Sequence, residues 1–123
     1  MPIQQVTGNT RVYVHLAHPS SHVQTPQVMN RAFTDREIDA VAISADVAPA
    51  DLGEVVRGLR RWRNLAGLGV TMPHKQAIAA HMDSLVGQAR LIGAVNAVRR
   101  EPDGGLVSAN TDGAGFVAGL RSA

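Results

Sequence analysis

The sequence predicts an α/β domain of three layers: an open, mostly parallel sheet between helices, with one antiparallel hairpin. Three observations predict it. Short apolar runs of strand length alternate with amphipathic helical segments, the pattern of strands joined by crossover helices. The turn signal Pro102-Asp103-Gly104-Gly105 joins two of the later runs closely enough for a hairpin. The chain has 123 residues, 45% of them hydrophobic, which is one domain's length with enough apolar side chain for a core.

The elements follow in order. Val12 to Ala17 reads as a buried strand, followed by a Pro/Ser/His segment from His18 to Gln24. Thr25-Pro26 opens a helix to about Arg36, with Thr25 as N-cap and Pro26 at the first helical position. Val28, Met29, Ala32 and Phe33 give it an apolar stripe. Ala40 to Ala45 is the next strand, and Pro49 to Arg63 an amphipathic helix with Leu52, Val55, Val56 and Leu59 on one face. Leu65 to Thr71 is a third strand, ending at Met72-Pro73, and a short helix runs from His74 to about His81. Asp83 or Ser84 caps a further helix carrying Leu85, Ala89 and Ile92 and stopped by Gly93. Ala94 to Arg100 and Leu106 to Asn110 flank the hairpin turn, and Asp112 starts a last helix through Phe116, Val117 and Leu120. With no internal repeat or linker, residues 1–123 read as one domain.

Composition removes several functions. Without cysteine there is no disulfide scaffold, no cysteine-ligated metal and no thiol nucleophile. A formal net charge of +2 and four aromatics (Tyr13, Phe33, Trp62, Phe116) equip the chain poorly for nucleic acid. Arg57, Arg60, Arg61 and Arg63 read as the solvated face of a helix rather than a phosphate patch. No apolar run approaches the roughly 20 residues of a membrane span, and Met1 to Arg11 has no apolar core of a secretory signal. A cytoplasmic protein is expected.

Two tempting motifs have plainer readings. Gly113-Ala114-Gly115-Phe116-Val117-Ala118 fits G-x-G-x-x-A, but no acidic residue follows before Ala123 to hold a ribose, so these glycines read as turn and packing positions. His15, His18 and His22 suggest a metal site, but His15 and His18 flank a strand end, where residues three apart point to opposite faces. No metal and no cofactor site is expected in this chain.

The informative residues are scattered. Of the 12 basic residues only one is lysine, Lys75. Arginine keeps its proton in a protein, whereas lysine can lose it when desolvated or set beside other charges. Val70-Thr71-Met72-Pro73-His74-Lys75 puts a hydroxyl at a strand end and the lysine on the following helix. Ile92-Gly93-Ala94-Val95-Asn96 adds an amide, and Asn110-Thr111-Asp112 an amide, a hydroxyl and a carboxylate. Ligands of open α/β sheets bind beyond the carboxyl ends of strands. If the segments meet there, amides and hydroxyls grip the oxygens of a small polyol while a Lys–Asp pair moves one proton. Taken singly, Asn96 is a turn, Asp112 a helix cap and Lys75 a surface charge.

These motifs, with Gly113, Gly115 and Phe116, resemble the N-terminal, substrate-binding half of the shikimate dehydrogenases, and the likeness runs from Val12 to Leu120. His22 to Phe33 is similar to that family's H-S-x-S-P-x-x-H-N followed by Ala-Phe. The resemblance implies an NADP-dependent enzyme interconverting 3-dehydroshikimate and shikimate on the route to the aromatic amino acids. It implies Lys75 and Asp112 as the proton-transfer pair, Thr71 and Asn96 as contacts to substrate hydroxyls, and Thr25 at the carboxylate end.

The departures matter too. The first serine position is Val23, the second Thr25; the histidine of H-N is Met29, and the asparagine before V-T is Gly69. Two polar contacts are thus missing, and a hydrogen bond to a charged group is worth about 1.5–3 kcal/mol. Shikimate itself is expected to bind poorly, and a different hydroxy acid, such as quinate, becomes a candidate. The family continues into a nicotinamide-binding domain, toward which the last helix, about 112–121, would lead. Alone, the chain is expected to bind NADP not at all, to bind a hydroxy acid, and to expose an apolar strip that a second copy could bury. The alternatives are a non-enzymatic small-acid module and an interaction domain without ligand.

Overall fold

A computed structural model describes residues 5–86 and 95–109. β1 (Arg11–Ala17), β2 (Ala40–Asp46), β3 (Leu65–Val70), β4 (Ser84–Val86), β5 (Ala97–Arg100) and β6 (Leu106–Ala109) form one sheet in the order β2-β1-β3-β5-β6-β4. β1 is parallel to β2 and β3, and β4 is parallel to β6; β5 runs antiparallel to both its neighbours, β3 and β6. The hairpin turn closes at Gly104, whose φ of 92° lies where a side chain is strained.

Alternation along β1 divides the core. Val12, Val14 and Leu16 face α2 (Leu52–Arg60) in a cluster with Val56, Leu59, Leu68, Val70 and Leu106. Tyr13 faces the other way, toward α1 (Thr25–Asp35) with Met29, Phe33 and Ala42; its ring centroid is 5.4 Å from that of Phe33. Helices therefore cover both faces, as the three-layer expectation requires. Asn30 fastens α1 to the edge strand, its side-chain amide donating to the Ala42 carbonyl and accepting from the Ala42 N–H.

Four expectations need correction. Residues 84–86 form strand β4, not the start of a helix: Ser84 to Val86 pair in register with Val107 to Ala109. The Asp83 carboxylate, expected as a cap, instead accepts from the Leu106 N–H and from Arg60. Tertiary pairing has overridden local propensity; the rest of that proposed helix lies outside the described residues. Thr25 is not the N-cap of α1; Gln24 holds that position, with no side-chain cap bond. The helix expected over 49–63 is a 3₁₀ turn (Pro49–Asp51) followed by α2, which ends at Arg60. Arg60 is not part of a solvated face: it donates to Asp83 and to the His81 carbonyl, while Arg57, Arg61 and Arg63 are exposed. No helix among the described residues is long and apolar enough to cross a membrane.

Candidate functional site

The C-terminal ends of β1 and β3 are where two of the dispersed segments meet, Val70 to Lys75 and Val95-Asn96. Four backbone hydrogen bonds do it. The Thr71 N–H donates to the Leu16 carbonyl at 3.0 Å, and the Val70 N–H to the Asn96 carbonyl at 3.0 Å. The His74 N–H donates to the Thr71 carbonyl at 2.9 Å, turning the chain into the short helix α3 (His74–Ala77). The Val95 N–H donates to the Lys75 carbonyl at 2.8 Å, tying the segment before β5 to that helix. Thr71, Lys75 and Asn96 thus stand on adjacent backbone at one end of the sheet, each partly exposed.

His74 explains why the turn holds. It is fully buried, and its Nε2–H donates to the Val47 carbonyl at 2.7 Å, locking α3 to the loop after β2. Nothing in the pattern of the sequence marked it, since a histidine between a proline and a lysine has no periodicity to betray burial.

His15 is the other residue the sequence reading left out of the site. Along β1, Tyr13 and His15 pair in register with Gly67 and Gly69 of β3. A Cβ at position 69 would lie 2.3 Å from His15 Nδ1, so the ring occupies the space that a side chain there would need. Burial chiefly, and the Lys75 charge secondarily, hold the His15 imidazole below the ordinary histidine range. The legible signal was the shared parity: ring residues two apart on one strand, glycines two apart on its neighbour.

Other expectations separate. Thr25 begins α1 and is exposed. The segment leading to it is pinned by Asp46 at the end of β2, which accepts from the Ser20 N–H at 3.1 Å and pairs with His18 Nδ1 at 2.8 Å. No hydrogen bond among the described residues links Thr25 to Thr71, Lys75 or Asn96. Asp112, with Asn110 and Thr111, lies outside the described residues. No group of three or more potential ligands gathers to hold a metal ion among the described residues. Neither the connection from Ala17 to Thr25 nor that from Val70 to His74 contains a glycine, so neither offers the glycine-rich turn that brings bare backbone against a pyrophosphate.

Comparison with known proteins bears on this geometry. Residues 16–98 match the family model of the shikimate dehydrogenase substrate binding domain. The chain is 41% identical over 123 residues to the shikimate dehydrogenase (NADP(+)) of Rubrobacter xylanophilus, covering all of this chain and 43% of that protein. The crystal structure of shikimate 5-dehydrogenase from Listeria monocytogenes, in complex with shikimate and NAD, superposes with a TM-score of 0.84 at 36% identity over 98% of this chain and 41% of that one. The ligand-free 5-ketofructose reductase of a Gluconobacter strain superposes at 0.80 with 32% identity, covering 92% and 40%. The chain spans less than half the length of these relatives.

Proposed function

Because the chain belongs to the shikimate dehydrogenase family, as its substrate-binding domain, we propose that the C-terminal ends of β1 and β3 bind a small cyclic hydroxy acid of the shikimate or quinate kind. In this reading the domain holds that substrate for an NADP-dependent oxidoreductase of which it forms one part. The supporting observation is the convergence of Thr71, Lys75 and Asn96 on adjacent backbone at one end of the sheet. Thr71 and Asn96 orient ring hydroxyls, and Lys75 takes or returns the proton of the hydroxyl that changes oxidation state. Asp112 completes the proton-transfer pair, and Thr25 serves the carboxylate end beside the non-donating Val23. Hydride chemistry belongs to the nicotinamide; in this reading the residues of this domain bind, orient and handle one proton. The proposed setting is the cytoplasm.

A second reading rests on Val23 and Gly69, which remove polar contacts from an acid's site. A neutral keto sugar asks less of the carboxylate end, and one structural relative is named for 5-ketofructose.

Calorimetric titration of the purified chain with shikimate, quinate and 5-ketofructose decides between them. Saturable binding of an acid, lost in Lys75→Ala and Asp112→Ala, supports the first reading. Binding of the sugar alone supports the second. Saturable binding that ignores both substitutions overturns the site, and no binding leaves an interaction domain. The chain with NADP and shikimate is expected to generate no reduced cofactor. Whether a second copy covers part of this domain is tested by light scattering.

A further inference from the structure

His15 and His74 are both buried histidines at the same end of the sheet, and in both Nδ1 is buried without a hydrogen-bond partner among the described residues. Their situations differ. The other nitrogen of His74 is fastened to the Val47 carbonyl, so that ring has a structural task. His15 Nδ1 has no such anchor and no partner among the described residues, although only 8% of the residue is exposed. A ring nitrogen buried without a partner is disfavoured relative to an apolar side chain of similar size, which would fill the space over Gly69 without that penalty. Something else must account for a histidine there.

Position explains it. The ring lies at the end of β1, directly across the parallel ladder from Gly69, one residue before Val70-Thr71, and close enough to feel the charge of Lys75. We propose that His15 is a ligand contact and a specificity-determining residue of this site, acting as a pair with Gly69. The glycine leaves the space, the imidazole enters it from the neighbouring strand with Nδ1 buried over Gly69, and Nε2, the nitrogen that is not buried, meets a hydroxyl of the molecule held beside Lys75. A neutral imidazole offers one donor and one acceptor, so it can read a hydroxyl in either sense. The pair makes the polar lining of the pocket depend on β1 rather than on residue 69. This rests on the reading that Thr71, Lys75 and Asn96 bind a small polyhydroxylated molecule.

The test titrates the full chain and its variants His15→Leu, His15→Gln, Gly69→Ala and Lys75→Ala with shikimate, quinate and 5-ketofructose. ¹⁵N NMR of the imidazole follows His15 in the unsubstituted chain, and this measurement decides should His15→Leu fail to fold. His15→Leu fills the space and removes the nitrogen; the expected result is binding weaker by about three- to tenfold, the worth of one neutral hydrogen bond. His15→Gln restores a donor and an acceptor and is expected to recover most of that loss. Gly69→Ala keeps the imidazole but pushes it from its seat, and is expected to weaken binding as His15→Leu does. The His15 ring resonances are expected to move on saturation. Undiminished binding by His15→Leu, or ring resonances that stay still, overturns the proposal. Loss of binding in Lys75→Ala with none in His15→Leu refutes the histidine and keeps the site. The reverse refutes the lysine and keeps the histidine. A chain that binds none of the three compounds overturns both.

Discussion

The two ends of the central strands both collect polar side chains, but they differ in what those side chains touch. At the N-terminal ends of β1 and β3, Arg11, Arg63, Arg99 and Arg100 line a cavity of about 430 Å³ with Tyr13 and Glu101. Much of this charge is bound within the fold. Arg100 donates to the Arg60 carbonyl at 2.9 Å and to the Glu101 carbonyl at 3.2 Å, and Arg99 pairs with the Glu101 carboxylate at 2.7 Å. Nearby, Arg60 bridges Asp83 and His81. At the C-terminal ends, His15 has an unpartnered nitrogen, and no described carboxylate pairs with Lys75. Polar groups satisfied inside the fold hold it together, whereas buried groups without a partner mark where a ligand completes the chemistry. The arginine-rich end looks more like a site in composition, and the sparser end is the better candidate.

The largest expected effects come from exchanging the two ends. Lys75→Ala is expected to weaken acid binding by about ten- to a hundredfold, the loss of one charge-assisted hydrogen bond, with little change in the urea midpoint. Arg100→Ala is expected to do the opposite. It strips donors from the Arg60 and Glu101 carbonyls and should destabilise the fold by about 1–3 kcal/mol while leaving affinity unaltered. Should Arg100→Ala weaken binding as Lys75→Ala does, the distinction between the ends fails.

Next in size is a pair of glycines on one strand. A Cβ on Gly67 would lie 2.3 Å from the Val98 carbonyl oxygen, a backbone atom of β5 that cannot move without disturbing the ladder. Gly67→Ala is expected to destabilise by about 1–3 kcal/mol in chemical denaturation, as overpacking does. At Gly69 the obstacle is the His15 ring, a side chain rather than backbone. Gly69→Ala should therefore cost less stability than Gly67→Ala and show its effect in binding instead. Equal losses of stability would mean that the His15 ring is as rigidly held as backbone.

What the sequence made legible follows the same division. The strands and helices of the first seventy residues were readable because each has a buried face with its own period: Val12, Val14 and Leu16 on one side of β1, and Val55, Val56 and Leu59 on α2. Family likeness singled out Thr71, Lys75 and Asn96, and the fold brings them together through backbone bonds that no periodicity encodes. β4 was misread because Leu85 suits a helix stripe as well as a strand; pairing with β6 decides the matter, and that partner lies over twenty residues away. His15 was read as one of three histidines in a row. Its part in the site depends on the register of β1 with β3, which only the assembled sheet provides.

The smallest expected effects are in the pH dependence of stability, and they separate the ends once more. The folded value of His15 is lowered, so as pH falls the unfolded chain takes up that proton first. Its contribution is whole above about 6.5, the ordinary histidine value, and declines as pH drops below that toward the lowered folded value. At the other end, Asp83 is held down by its hydrogen bond from Arg60 and then by the Leu106 N–H. That stabilisation is whole above the ordinary carboxylate range, near 3.9, and is lost only as pH falls through the lowered folded value. Urea midpoints measured from neutral pH downward should therefore fall in two separate windows. His15→Gln should flatten the upper window and leave the lower one, whereas Asp83→Asn should leave the upper window and shrink the lower one, to which Asp46, lowered chiefly by its hydrogen bond with His18 and then by that from the Ser20 N–H, also contributes. A single window removed by either substitution would mean that the two ends titrate as one unit, and that the division between a satisfied end and an open one has no energetic counterpart.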